Sequence, residues 1–182
     1  MFTKLITAPA SYPITLSEAK AHLKVEHSDE DTLITSYLDA ATQYVETLSG
    51  LHLVAQTWEQ HQHGFYCNWL LKLPIQSITH IKYYDGDNVL QTLDSAEYRL
   101  QAPYKQRAWI EPVNSWPSTY CRSDAVQIRF VAGFSAVPER AKQAVRLALG
   151  VFHAERSGEI VGTISKQLEN GINRLCNGLR GY

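Results

Sequence analysis

Apolar residues recur at three- and four-residue steps near both ends of the chain and in short alternating runs between them, which predicts helix, then sheet, then helix. The first helix signal is Thr15-Leu16-Ser17-Glu18. This is a capping box, in which the Thr15 hydroxyl accepts from the Glu18 amide while the Glu18 carboxylate reaches back. It predicts a helix to about Lys24 with Leu16, Ala19 and Leu23 on one side. Ser28, followed by Asp29, Glu30 and Asp31, predicts a second start, with carboxylates in a first turn where the helix dipole favours negative charge. Leu33, Ile34, Tyr37, Leu38, Ala41, Val45 and Leu48 then form a stripe down one face, and Gly50 supplies a stop. Residues 15–49 therefore read as an αα-hairpin with one face waiting to be covered.

From Leu51 the period shortens. Thr57 to His63, Ile78 to Tyr84, Tyr98 to Leu100, Ala108 to Glu111 and Val126 to Phe134 read as strands. Leu73-Pro74 reads as a strand edge, Asp85-Gly86-Asp87-Asn88 as a turn, and Asn114 to Ser123 as a long exposed loop. Helix returns at Pro138, with Ala141, Val145, Ala148, Leu149 and Phe152 on one side and Gly150 as a weak point. After Ser157-Gly158-Glu159, the residues Ile164, Leu168, Ile172, Leu175 and Leu179 predict a final helix interrupted at Gly171. Two half-covered helical pairs need each other. The expected fold class is α+β: residues 1–50 and 136–182 form a helical core, and 51–135 an inserted antiparallel β module.

Composition narrows this to a folded chain. It has 182 residues, 45% of them hydrophobic, and 17 Lys+Arg against 18 Asp+Glu give a net charge of −1, so no overall basic field draws it onto free DNA. The charges are unevenly spread: residues 1–50 hold 3 bases and 7 acids, and residues 136–182 hold 7 and 4. Opposite ends of this kind suit copies stacking head to tail. Cys67, Cys121 and Cys176 are odd in number and far apart, which writes neither a disulfide framework nor a Cys-x-x-Cys pair. No signal-peptide pattern or long apolar run stands out, so neither secretion by that route nor a membrane partner is expected.

Few residues suggest catalysis. Glu59, His61 and His63 share one side of a strand and offer two imidazoles and a carboxylate to a metal, although polar alternation on a half-exposed strand explains the same letters. His153-Ala154-Glu155 matches half of a zinc-deaminase motif, but the Pro-Cys-x-x-Cys half is missing. No Gly-x-Ser-x-Gly elbow, P-loop or Gly-x-Gly-x-x-Gly occurs. Tyr83, Tyr84, Tyr98, Tyr104, Trp109, Trp116 and Tyr120 crowd the β module, suiting either its core or a sugar- or DNA-binding surface. Arg140, Lys142, Arg146 and Arg156 give the third helix a basic side.

Together these elements resemble a known family. Ile14-Thr15-Leu16-Ser17-Glu18-Ala19-Lys20-Ala21-His22-Leu23-Lys24, then Asp29-Glu30-Asp31-Thr32-Leu33-Ile34, Ala40-Ala41 and Gly50, resemble the opening of tailed-phage head–tail connector (adaptor) proteins. Leu73-Pro74, the strand to Tyr84 with Asp85-Gly86, the Tyr98 strand, and Val131-Ala132-Gly133-Phe134 before Val137-Pro138 resemble the longer subfamily with a β insertion. The terminal Ile172 to Tyr182 is similar to the family's closing Leu-Leu-x-x-Tyr/Leu-Arg element, with Cys176 and Gly178 as departures.

The resemblance implies a structural subunit of a virion, assembled in the host cytoplasm, with no enzymatic role and no cofactor. About twelve copies would form a ring under the portal protein, each meeting its neighbour through unlike surfaces. The ring would extend the DNA channel, without sequence-specific DNA binding, toward a downstream head-completion or tail-terminator protein. It further implies that Arg174, Leu175, Leu179, Arg180 and Tyr182 contact the portal. The alternatives are a metal-dependent enzyme built on Glu59, His61 and His63, and a carbohydrate- or DNA-binding module using the β-region aromatics.

Overall fold

A computed structural model describes residues 1–66, 68–154 and 162–180. The chain forms two compact units: residues 1–10 with 55–135, and residues 11–54 with 136–182. Both are mixed from distant stretches of chain, and together they make an α+β protein.

In the helical unit the capping box forms as expected. Thr15 Oγ1 accepts from the Glu18 amide at 3.1 Å, and Glu18 Oε2 accepts from the Thr15 amide at 2.8 Å. Helix α1 (Leu16–Leu23) ends where Lys24 turns into the left-handed region, φ 58°, and the Lys24 amide donates back to the Ala21 carbonyl. Helix α2 (Asp31–Ser49) begins later than the Ser28 reading. Ser28 lends only its carbonyl, to the Asp31 amide at 3.2 Å, and Asp31 alone of the three carboxylates lies in the first turn. The start is tied instead by Lys20, whose Nζ donates to Asp31 Oδ1 at 2.6 Å and joins the two helices.

Ile34, Leu38, Ala41 and Val45 are buried along α2, whereas Leu33 at its upper edge is exposed. Gly50 at φ 68° ends the helix, a conformation that costs a residue with a Cβ about 1–2 kcal/mol. Helix α3 (Glu139–Ala154) buries Ala141, Ala144, Val145, Ala148 and Leu149. Three of these five are alanines, so α3 can approach its neighbours closely, and it packs on both α2 and the last helix. That helix, α4 (Gly162–Arg180), runs through Gly171 without the expected interruption, and buries Ile172, Cys176 and Leu179.

The β unit contains a strand that the sequence reading lacked. Strand β1 (Phe2–Thr7) pairs antiparallel with β2 (Gln56–Gln62), so residues 1–10 leave the helical segment assigned to 1–50 and join the sheet. The five-stranded sheet has the order β1-β2-β7-β3-β4, with β3 at Ile75–Tyr84, β4 at Leu90–Leu93 and β7 at Val126–Ala132. Every neighbouring pair is antiparallel. Strands β5 (Tyr98–Tyr104) and β6 (Arg107–Pro112) form a separate two-stranded sheet.

Central β7 alternates strictly, with Val126, Ile128, Phe130 and Ala132 inward and Gln127, Arg129 and Val131 half-exposed. The core closes with Ile81, Leu93, Ala108, Ile110, Leu70 and Phe65, the last stacked on Trp116 at 4.3 Å. Asn114 to Ser123 thus contains no strand or helix, but Trp116 anchors it.

Truncation of Leu38 to alanine should lower the unfolding free energy by about 3 kcal/mol in urea titration, because the cavity opens in the seam of the helical unit. Gly171→Ala should act oppositely, raising it by about 0.5–1 kcal/mol, since a Cβ there meets open space and the helix gains propensity.

Candidate functional site: the assembly surfaces

The chemistry-bearing residues of β2 are engaged within the fold. Glu59 Oε2 accepts from Arg129 Nε at 2.9 Å and Nη2 at 2.6 Å, and Glu59 Oε1 lies 3.0 Å from His61 Nε2. Burial alone pushes the Glu59 carboxyl up. The Arg129 hydrogen bond and charge, with His61 beside it, outweigh burial and hold the carboxyl below its ordinary range. The His61 ring is also stacked under Phe2, with centroids 4.6 Å apart.

His63 goes elsewhere, with Nδ1 2.7 Å from the Arg122 carbonyl oxygen. Strand β2 ends at Gln62, which releases His63 from the shared side that alternation predicted. The three residues therefore do not converge. Among the described residues no group of three His, Cys, Asp or Glu is placed to hold a metal.

On the same sheet face His80 is pushed down by burial first, then by the charges of Arg129 and Lys82. Of the β-region aromatics, Tyr83, Tyr98 and Trp116 pack against the core, while Tyr104 and Tyr120 are exposed. Three of the seven thus serve packing.

The basic side of α3 is likewise spent inside the helical unit. Arg146 Nη2 donates to Glu18 Oε1 at 3.2 Å, Lys142 pairs with Glu139 at 2.9 Å, and Arg140 Nη1 donates to the Gly178 carbonyl at 2.8 Å. A Cβ on Gly178 would overlap the Arg140 guanidinium, so the glycine that departs from the closing pattern admits a cap on α4. Glu18, held by the Thr15 amide and hydroxyl with Arg146 nearby, lies below the usual carboxylate range. One acid of the N-terminal stretch, Glu18, and one base of the C-terminal stretch, Arg146, thus pair within one unit, which takes that much from the charge available for a head-to-tail contact. Arg156 lies outside the described residues.

On α2, an open groove of about 450 Å³ is lined by Tyr12, Asp31, Thr32, Thr35, Ser36 and Asp39. Both of its carboxylates already have partners, Asp31 in Lys20 and Asp39 in Gln43 at 2.7 Å.

The residues expected at a docking contact sit on α4. Arg174 is exposed and Leu175 half-buried, whereas Leu179 is buried, at 3% exposure, inside the helical unit. Arg180 ends the helix, and Tyr182 lies outside the described residues. Burial of Ile172, Cys176 and Leu179 at steps of four and three leaves Arg174 on the opposite side.

Residues 13–112, more than half of the chain, match the family model described as "Phage gp6-like head-tail connector protein". The chain belongs to that family. This connector is a structural subunit of a phage-like particle. Its fold extends beyond the matched segment. A protein from the neck of an empty gene transfer agent particle, computed with C6 symmetry, superposes with a TM-score of 0.81 at 23% identity, covering 100% of the connector and 96% of that chain. A protein of the native gene transfer agent virion gives 0.81 at 22%, and one from the native neck, computed with C12 symmetry, gives 0.78 at 22%, with the same coverage. No curated protein matches the connector.

The Glu59–Arg129 pair makes a pH prediction. Because the folded carboxyl lies below its unfolded value, the unfolded chain binds more protons, so this pair's stabilisation is present at neutral pH and lost as pH falls through the carboxylate range. In Arg129→Met the largest influence opposing burial is gone and His61 alone remains, so the carboxyl rises toward its unfolded value and the contribution shrinks. Melting temperatures of both proteins between neutral and acid pH would show the wild type falling more steeply.

Proposed function

We propose that the connector acts as a neck adaptor, with about twelve copies forming a ring beneath the portal of a tailed phage, prophage or gene-transfer particle. The ring would carry the DNA channel toward a head-completion or tail-terminator protein. The observation that carries this reading is the family match over residues 13–112, extended by a fold likeness that spans the whole chain. One of the similar neck structures was computed with C12 symmetry, which supports a ring of that order.

Function on this reading lies in assembly and needs no cofactor. The ion-paired Glu59 and His61 and the separately bonded His63 favour it over a metal enzyme. Portal docking would use the exposed side of α4 at Arg174 and the chain end at Arg180 and Tyr182. Leu179, with Leu175 beside it, would seat the helix for that contact. DNA would pass without sequence readout, consistent with a net charge of −1.

Electron microscopy and solution mass of the connector, alone and mixed with the portal protein encoded with it, test the reading. A ring stacked on the portal is the expected result, retained in a His61→Ala, His63→Ala double variant. Arg174→Glu should weaken binding to the portal without changing the fold. A connector that stays monomeric beside a competent portal would sink the proposal.

A further inference from the structure

Among the described residues the five-stranded sheet ends at β1 on one side and at β4 on the other, with no further strand beyond either. Strand β1 presents Phe2 at 53% exposure and Leu5 at 42%, with Ile6 beside them and Lys4 as its one charge. An edge strand of this composition is usually blunted by charges, proline or cover, because its free N–H and C=O groups invite another strand. Here the only devices within the strand are Lys4 and the irregularity between Leu5 and Thr7. At the opposite edge Val89 and Leu90 are also exposed, at 53% and 43%.

The two edges carry opposite charge. Residues 1–10 contain Lys4 and no carboxylate, whereas residues 85–97 contain Asp85, Asp87, Asp94 and Glu97 and no lysine or arginine. Asp87, Asp94 and Glu97 are all exposed.

We infer that β4 of one connector pairs with β1 of the next, so that the sheets of neighbouring copies join edge to edge. A cyclic ring needs one surface to meet a different surface on the following copy, and two dissimilar, oppositely charged edges of one sheet meet that requirement. The direction follows from the topology. With every neighbour antiparallel and an odd number of strands, β1 and β4 run the same way, so copies related by a small rotation pair them in parallel. Leu90 and Leu5 would then lose water at the joint while Lys4 meets the acidic rim. This inference deepens the ring reading and rests on it.

The test uses the full chain with Cys67→Ser and Cys121→Ser, which leaves the buried Cys176 as the native thiol, carrying Thr3→Cys and Thr92→Cys together or singly. Each protein is assembled on the portal, checked for rings by electron microscopy, and treated with a short bismaleimide. The expected result is a ladder of connector multimers from the double variant and none from either single variant. In parallel, Leu90→Lys should reduce ring yield by at least about tenfold, with the uncomplexed chain keeping its circular dichroism and melting temperature. Rings that form normally yet give no ladder, or in which β1 cross-links to the portal instead, would overturn the edge pairing and leave the adaptor role intact. Absence of any ring from the unmodified chain would overturn both.

Discussion

The stripe on α2 is the constraint around which the helical unit is organised. Ile34, Leu38, Ala41 and Val45 cannot be buried by α1, which supplies only Ala19 to the fully buried set. Cover comes from α3 and α4, and the alanines of α3 let its backbone approach α2 closely. The chain must therefore leave α2, build the β unit and return. The β unit shows the same logic, since β1 meets β2 only after the first two helices have been traversed. Both units are stapled by contacts between residues far apart in sequence.

Local chemistry made much of this legible. The Thr15–Glu18 box, the left-handed Gly50, the Asp85 turn and the alternation of β7 are each decided within a few residues, and each appears where the pattern placed it. What escaped depends on partners that no short window contains. Strand β1 has no buried side chain, so no hydrophobic alternation marks it, and β4 has only four residues. Ser28 looked like a cap because its neighbours are acidic, but the Lys20–Asp31 pair settles where α2 begins.

The assembly surfaces divide in the same way. Family membership was readable because the opening motif is contiguous, whereas the fate of individual charges was not. Residues 136–182 carry seven bases, yet Arg140, Lys142 and Arg146 are engaged within the helical unit, by a helix end and by carboxylates. Likewise Glu59 and His61 keep the adjacency that alternation implied, and Arg129, seventy residues away in the chain, claims the carboxylate. A charge count describes supply, and only the fold assigns its use.

The interleaving of the two units has a consequence for the chain as it is made. All of the β unit's residues have been synthesised once Ser135 is joined, and pairing of β7 with β2 and β3 can then complete its sheet. The helical unit has no such early option, because α3 and α4 come last. On the ribosome the sheet therefore becomes available before the seam of α2 can be sealed, and α2 must carry its bare stripe through the synthesis of the whole insertion.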